Sequence, residues 1–223
     1  MHSAKREAMG ERLTIRSERP SGTAELEAEL SRPDGEPRGG LVLCHPHPAG
    51  GGSMDVGLLT VIDRRLTAAG FAVLRFNFAG IGLSTGTFTE GVEEPIDVAA
   101  TFDHLRSSLT DGAGVSVGGW SFGAWMSLLA LADGLPAVSC VAIAPPLMLY
   151  DWRPSVERIA ASGAERHYVI GANDQFCPLD FLEAFAAAVS PQDADNVTVL
   201  PATDHYLFGR EDAVAALVAE IIT

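Results

Sequence analysis

Three side chains in this sequence have the types that together activate an alcohol: Ser121, Asp174 and His205. A serine hydroxyl is a weak nucleophile at neutral pH, so it attacks an acyl carbon only when a base takes its proton and a carboxylate orients that base. Ser121 sits in GWSFG (119–123), between the β-branched run GVSVGG and an apolar helical run. In that context Gly-x-Ser-x-Gly makes a sharp turn that lifts the serine oxygen out of a sheet, with glycines where strand and helix nearly touch. Asp174 follows the run HYVI within GANDQFCP, and His205 follows VTVL within PATDHYLFG. All three lie just past strands, at the end where open α/β sheets collect their ligands. The rival acids are placed less well: Asp204 adjoins the histidine and points away from it, and Asp180 has entered the next helix.

Acyl transfer also needs donors aimed at the negative oxygen of the tetrahedral intermediate. The backbone N–H of Phe122, first after the serine, is one. The second is sought in LVLCHPHPAGGGSMD (41–55), which runs off a strand into glycines. Pro46 and Pro48 carry no N–H, which leaves the backbone of His47, with Ala49 as its substitute. His45 and His47 could share a strand face as metal ligands, but no third ligand lies nearby and a proline follows each, as in a turn that presents backbone. The expectation is no metal and no cofactor, with His45 a buried histidine holding the loop. Trp120, Phe122, Tyr150, Trp152, Phe176 and Tyr206 lie on segments that should meet near Ser121 and offer an apolar wall, with about half of them touching substrate.

The elements that must position these groups follow from periodicity. RLTIRS and AELEAELS read as two strands joined by the turn ERPSG; in the second, Ala24, Leu26, Ala28 and Leu30 alternate with glutamates, one face in and one out. From residue 41 onward most of the runs LVLC, FAVLRF, GVSVGG, VSCVAIA, HYVI and VTVL lack that alternation, which marks strands covered on both faces. Helices are expected at 54–69, 92–109, 122–133, 178–189 and 211–222, with a shorter one near 153–161. The pattern is a mostly parallel sheet of about eight strands with helices on both faces, in one domain over 1–223 whose first ten residues are frayed.

Fifteen basic against twenty-nine acidic residues give a net charge of −14, which repels nucleic acid and anionic membrane surfaces. The first twenty residues have no apolar core of a signal peptide, and no apolar run reaches membrane-spanning length. Cys44, Cys140 and Cys177 form an odd set without metal-ligand spacing, as in a reducing cytosol. The expected setting is therefore cytoplasmic, the expected partner is a small molecule, and oligomeric state is open.

Read together, LCHPHPAGGGSMD, GFAVLRFNFAGIGLSTGTF, GVEEPIDVAATFDHLR, GWSFGAWMSLLAL, VAIAPPLMLYDW, GANDQFCP and DHYLFG resemble the small lidless α/β-hydrolases of bacteria. That group is distantly similar to dienelactone hydrolases and to prolyl-oligopeptidase-type catalytic domains. The resemblance runs from about residue 40 to the C-terminus and implies the α/β-hydrolase fold and a triad of Ser121, Asp174 and His205, in the chain order of that fold. It departs at NFAGIGLS (77–84), where Ala79 stands in place of a common arginine and leaves that arginine's ion pair in doubt. Unlike dienelactone hydrolases, the chain has serine rather than cysteine at the elbow. VAIAPPLMLYDWRPSVERIAASGAERHYVI has room only for a loop and a short helix, so no cap domain covers the site and water enters freely. The expected reaction is hydrolysis of small to medium carboxylic esters through an acyl-enzyme. The alternatives are a thioesterase, short-peptide hydrolase or lyase on the same triad, or a binding module without turnover.

Overall fold

A computed structural model describes residues 10–222; the expected fraying of the N-terminus falls largely on residues 1–9, outside the described residues. The chain opens with an antiparallel hairpin, β1 (Glu11–Arg19) and β2 (Gly22–Ser31). Alternating strands and helices follow: β3 (Gly39–Cys44), α1 (Gly57–Ala68), β4 (Ala72–Phe76), α2 (Glu94–Ser107), β5 (Gly114–Trp120), α3 (Phe122–Ala132) and β6 (Ser139–Ile143). The last elements are α4 (Val156–Ala160), β7 (Glu165–Gly171), α5 (Leu179–Val189), α6 (Pro191–Asp195), β8 (Val197–Leu200) and α7 (Glu211–Ile222). All eight strands join one sheet in the order β1-β2-β4-β3-β5-β6-β7-β8, parallel from β4 to β8. This is the α/β-hydrolase fold without a cap: only a 3₁₀ turn (Arg153–Ser155) and the five-residue α4 lie between β6 and β7.

Most of the continuous apolar runs are strands covered on both faces; VTVL is the exception, because it forms the edge strand β8, where Val199 is exposed and Val197 and Thr198 are half-buried. Every residue of β3, β4 and β6 is buried, because α1 and α7 pack on one side of the sheet while α2, α3, α4 and α5 pack on the other. β2 keeps its alternation, with Ala24, Leu26, Ala28 and Leu30 all inside. Glu29 departs from it: the chain expected outside is buried because Arg75, from neighbouring β4, donates to it at 2.5 Å while also pairing with Asp63 at 2.7 Å.

Two helices begin later than their periodicity predicts. α1 starts at Gly57 rather than 54, since Met54 is held in the loop by both polar groups: its N–H donates to Asn77 and its carbonyl accepts from Arg75. α2 starts at Glu94, with Pro95 in its first turn, where the missing N–H costs nothing. The predicted helix near 153–161 divides into the 3₁₀ turn and α4, and α6 is a short helix beyond those predicted, capped by the Ser190 hydroxyl.

Candidate active site

The elbow after β5 stores backbone strain. Ser121 has φ 55° and ψ −117°, a region that costs a non-glycine residue about 1–3 kcal/mol and persists only where its surroundings over-determine it. Its N–H is tied to the Ile143 carbonyl at 2.8 Å, and Phe122 then opens α3. The flanking glycines are required by contact: a Cβ on Gly119 would lie 2.6 Å from the Cys44 oxygen, and one on Gly123 would overlap the Cys44 carbonyl. The close approach that forbids those side chains sets the end of β3 and its loop directly against the serine.

The Ser121 Oγ lies 2.8 Å from His205 Nε2, and His205 Nδ1 lies 2.9 and 3.1 Å from the two Asp174 oxygens. All three residues are buried, where little water competes with the bonds. Asp174 follows β7 and holds its own turn as well, its Oδ1 accepting the N–H groups of Phe176 and Cys177. The ionised carboxylate only accepts, so Nδ1 carries the proton and Nε2 is left bare toward the serine. The His205 loop is fixed from both sides: Gln175 accepts its N–H at 3.4 Å, and the Trp120 indole N–H donates to its carbonyl at 3.2 Å. Asp180 lies in α5, and Asp204 accepts the Tyr206 N–H.

The β3 loop settles which backbone group is free. Ala49 N–H donates to the His47 ring at 3.1 Å, and the His47 carbonyl takes the N–H groups of Gly50 and Gly52. His47 N–H meets no acceptor among the described residues. The Phe122 N–H belongs to the first turn of α3 and has no partner within the helix. The His47 ring stands edge-on to Phe122 and Phe88, with Nε2 3.8 Å from the exposed Glu90 carboxylate.

The six aromatic side chains divide by neighbourhood. Phe176 and Tyr206 flank the His205 ring, with centroids 4.8 and 5.9 Å away. Tyr150 stacks on Trp125 and tilts against Phe122. Trp120 packs toward the α1 and α7 layer and Trp152 lies edge-on to Phe185 of α5. Beyond these, Phe208 stacks on Tyr206, and Met148 and Leu149 stand exposed beside Tyr150. The thiol of Cys177, next to Asp174, is pushed up to about 12 by burial and is therefore protonated at neutral pH.

The backbone at Ala79 is held by a buried carboxylate that a distant strand also reaches. Asp97 of α2 accepts the Ala79 N–H at 3.1 Å and the Ser17 hydroxyl at 2.7 Å, while Arg19 of β1 lies 3.6 Å from it. Burial raises the Asp97 carboxyl above its ordinary range, against those hydrogen bonds and the arginine. Arg19 also reaches Glu93, Glu94 and the Thr87 carbonyl, and Glu94 in turn takes the N–H groups of Thr89 and Gly91. This buried cluster holds the loop that lays Phe88 beside His47.

Solved structures similar to this chain share its fold. An α/β serine hydrolase homologue from Coxiella burnetii is 26% identical, covers 98% of this chain and all of its own, and superposes with a TM-score of 0.81. A serine hydrolase without lid from Xanthomonas campestris is 24% identical, with 98% and 95% of the two chains covered and a TM-score of 0.76. An uncharacterized protein of Rickettsia prowazekii is 36% identical over 107 residues, which is 48% of this chain and only 44% of that protein. The family of X-Pro dipeptidyl-peptidase, S15, matches residues 16–189, which takes in Ser121 and Asp174 and ends before His205. The chain thus belongs to the S15 family and has the fold of the lidless α/β serine hydrolases.

Proposed function

We propose that the protein hydrolyses small to medium carboxylic esters through an acyl-enzyme on Ser121. The observation that carries this reading is the unbroken line of hydrogen bonds from the Ser121 hydroxyl through the His205 ring to Asp174. His205 Nε2 takes the hydroxyl proton as Oγ bonds to the ester carbon, and Asp174 stabilises the imidazolium. The carbonyl oxygen, now negative, is held by the N–H groups of Phe122 and His47. Collapse expels the alcohol, which leaves with the proton from His205. Water then repeats the sequence: His205 takes its proton, hydroxide attacks the acyl carbon, and Ser121 Oγ regains a proton as the acid departs. The open rim supports hydrolysis because the second nucleophile needs only to diffuse in, and the apolar side chains of Tyr150, Phe176 and Tyr206 suit an acyl or alkyl group.

A second reading, release of an X-Pro dipeptide, is favoured by the family to which the chain belongs and by the exposed Glu90 carboxylate at the rim, a partner for a free amino terminus. A panel of nitrophenyl esters of rising acyl length set beside X-Pro nitroanilides separates the two. In either case a fluorophosphonate should label Ser121, and Ser121→Ala should lower turnover by about three to six decades with the fold intact. Near-wild-type turnover in that variant overturns the proposal.

A further inference from the structure

A second imidazole is buried at the same rim and takes no part in the steps above. His45, the first residue after β3, has no exposed surface. Its Nε2 lies 3.2 Å from the Phe78 backbone nitrogen, and its Nδ1 lies 2.7 Å from the Pro46 carbonyl oxygen. A backbone N–H only donates and a carbonyl only accepts, so the two contacts together select one tautomer: Nδ1 protonated and donating, Nε2 bare and accepting.

The Pro46 carbonyl and the His47 N–H belong to the same peptide unit. A planar trans peptide points its C=O and N–H in opposite directions, so a bond that draws the carbonyl toward His45 turns the N–H away from it. That N–H is the one the ester mechanism assigns to the oxyanion. The peptide on the far side is fixed too, since the His47 carbonyl takes two glycine N–H groups. Pro46 lends no N–H of its own to hold the unit, so the imidazole supplies what the chain lacks. We infer that His45 is a positioning residue, which holds the Pro46–His47 peptide in the orientation that offers its N–H to the developing negative charge. The inference rests on the acyl-enzyme reading of Ser121.

His45 also ties the end of β3 to the segment after β4 through Phe78, and two variants separate these roles. In His45→Asn the side-chain amide nitrogen stands about where Nδ1 was and reaches the Pro46 carbonyl, but the side chain is too short for Phe78. In His45→Gln the oxygen reaches the place of Nε2 and accepts from Phe78, and the Pro46 carbonyl loses its donor. The readouts are kcat, KM and the affinity of a trifluoromethyl ketone, whose adduct with Ser121 places an oxyanion in the same position. His45→Gln should lose about 10- to 100-fold in kcat, part of what removing a donor costs, and a similar factor in inhibitor affinity, with KM within about twofold. His45→Asn should recover most of that loss.

The reverse order, or equal losses in both, overturns the inference. If either variant fails to fold, the ring nitrogen shifts of His45 in the wild-type protein decide: protonation on Nδ1 at pH 7 supports it and protonation on Nε2 overturns it. Ester turnover that survives Ser121→Ala would instead break the acyl-enzyme reading itself, whereas an active wild type, an inactive Ser121→Ala and an unimpaired His45→Gln would break only this step.

Discussion

The loops after β3 and β8 each bury a histidine at the same rim of the sheet, His45 and His205, and in both the two ring nitrogens are engaged. What differs is the partner. His45 meets a backbone carbonyl and a backbone N–H, neither of which can take up or release a proton, so its ring is locked as a strut. His205 meets a carboxylate on one side and a hydroxyl on the other, so a proton can arrive at Nε2 and the charge it brings is met at Nδ1. Burial alone does not make an imidazole a catalyst; the chemistry of what stands at each nitrogen does.

The largest test of this contrast exchanges the carboxylate for an amide. In Asp174→Asn the two N–H groups of Phe176 and Cys177 hold the side-chain oxygen where Oδ1 was, which leaves the NH₂ facing His205 Nδ1. A donor there forces Nδ1 to accept, puts the proton on Nε2, and gives the active histidine a tautomer unable to deprotonate Ser121. We expect kcat/KM for an ester to fall by about four decades with little change in thermal stability. A loss below tenfold would mean that the carboxylate is only a turn cap and that the two histidines are alike.

Much of that constellation was legible in the chain. Each of Ser121, Asp174 and His205 comes shortly after a β-branched or apolar run that reads as a strand, and in a parallel sheet the residues past such runs meet at one rim. The prolines of HPHP likewise excluded two backbone donors by covalent structure alone. The buried ions were not legible. Glu29 was expected on the solvent face of its strand, nothing in FAVLRF names the partners of Arg75, and Arg19 lies more than seventy residues from the carboxylates it meets. Pairing across such distances depends on the order of strands in the sheet, which periodicity does not report. Phe88 escaped for a related reason: a single aromatic in GTFTEG carries no pattern, and the Arg19 contact that ties its loop to β1 is itself long-range.

A smaller effect sharpens the comparison through pH. Burial, opposed by the Pro46 hydrogen bond and helped by nearby His47, pulls the His45 ring from 6.5 down to about 4. Protonation would also place an N–H on Nε2 against the Phe78 N–H. As pH falls below 6.5 the unfolded chain takes up a proton that the native ring refuses, so stability is lost, and the loss is complete near pH 4. Its size is on the order of 3 kcal/mol. Asparagine does not titrate, so the stability gap between wild type and His45→Asn, measured by urea unfolding, should shift by that amount in favour of the variant between pH 7 and 4. A gap that stays constant would mean that His45 titrates normally and that the strut is open to water.

The smallest effect concerns how the active ring is held. Trp120 was expected at the substrate wall, yet its indole N–H is spent on the His205 carbonyl and its ring packs with the α1 and α7 layer. Trp120→Phe keeps most of the packing and removes the bond, leaving one partly buried carbonyl without a donor at a cost of about 1 kcal/mol. If the indole serves to hold His205, kcat/KM should fall by about fivefold for methyl and for long-chain esters alike, because the ring that every substrate uses is less well aimed. If it forms part of the wall, the loss should grow with acyl length and appear in KM. The same acyl series therefore tells whether the β5 tryptophan belongs with the struts, as His45 does, or with the surface that meets the substrate.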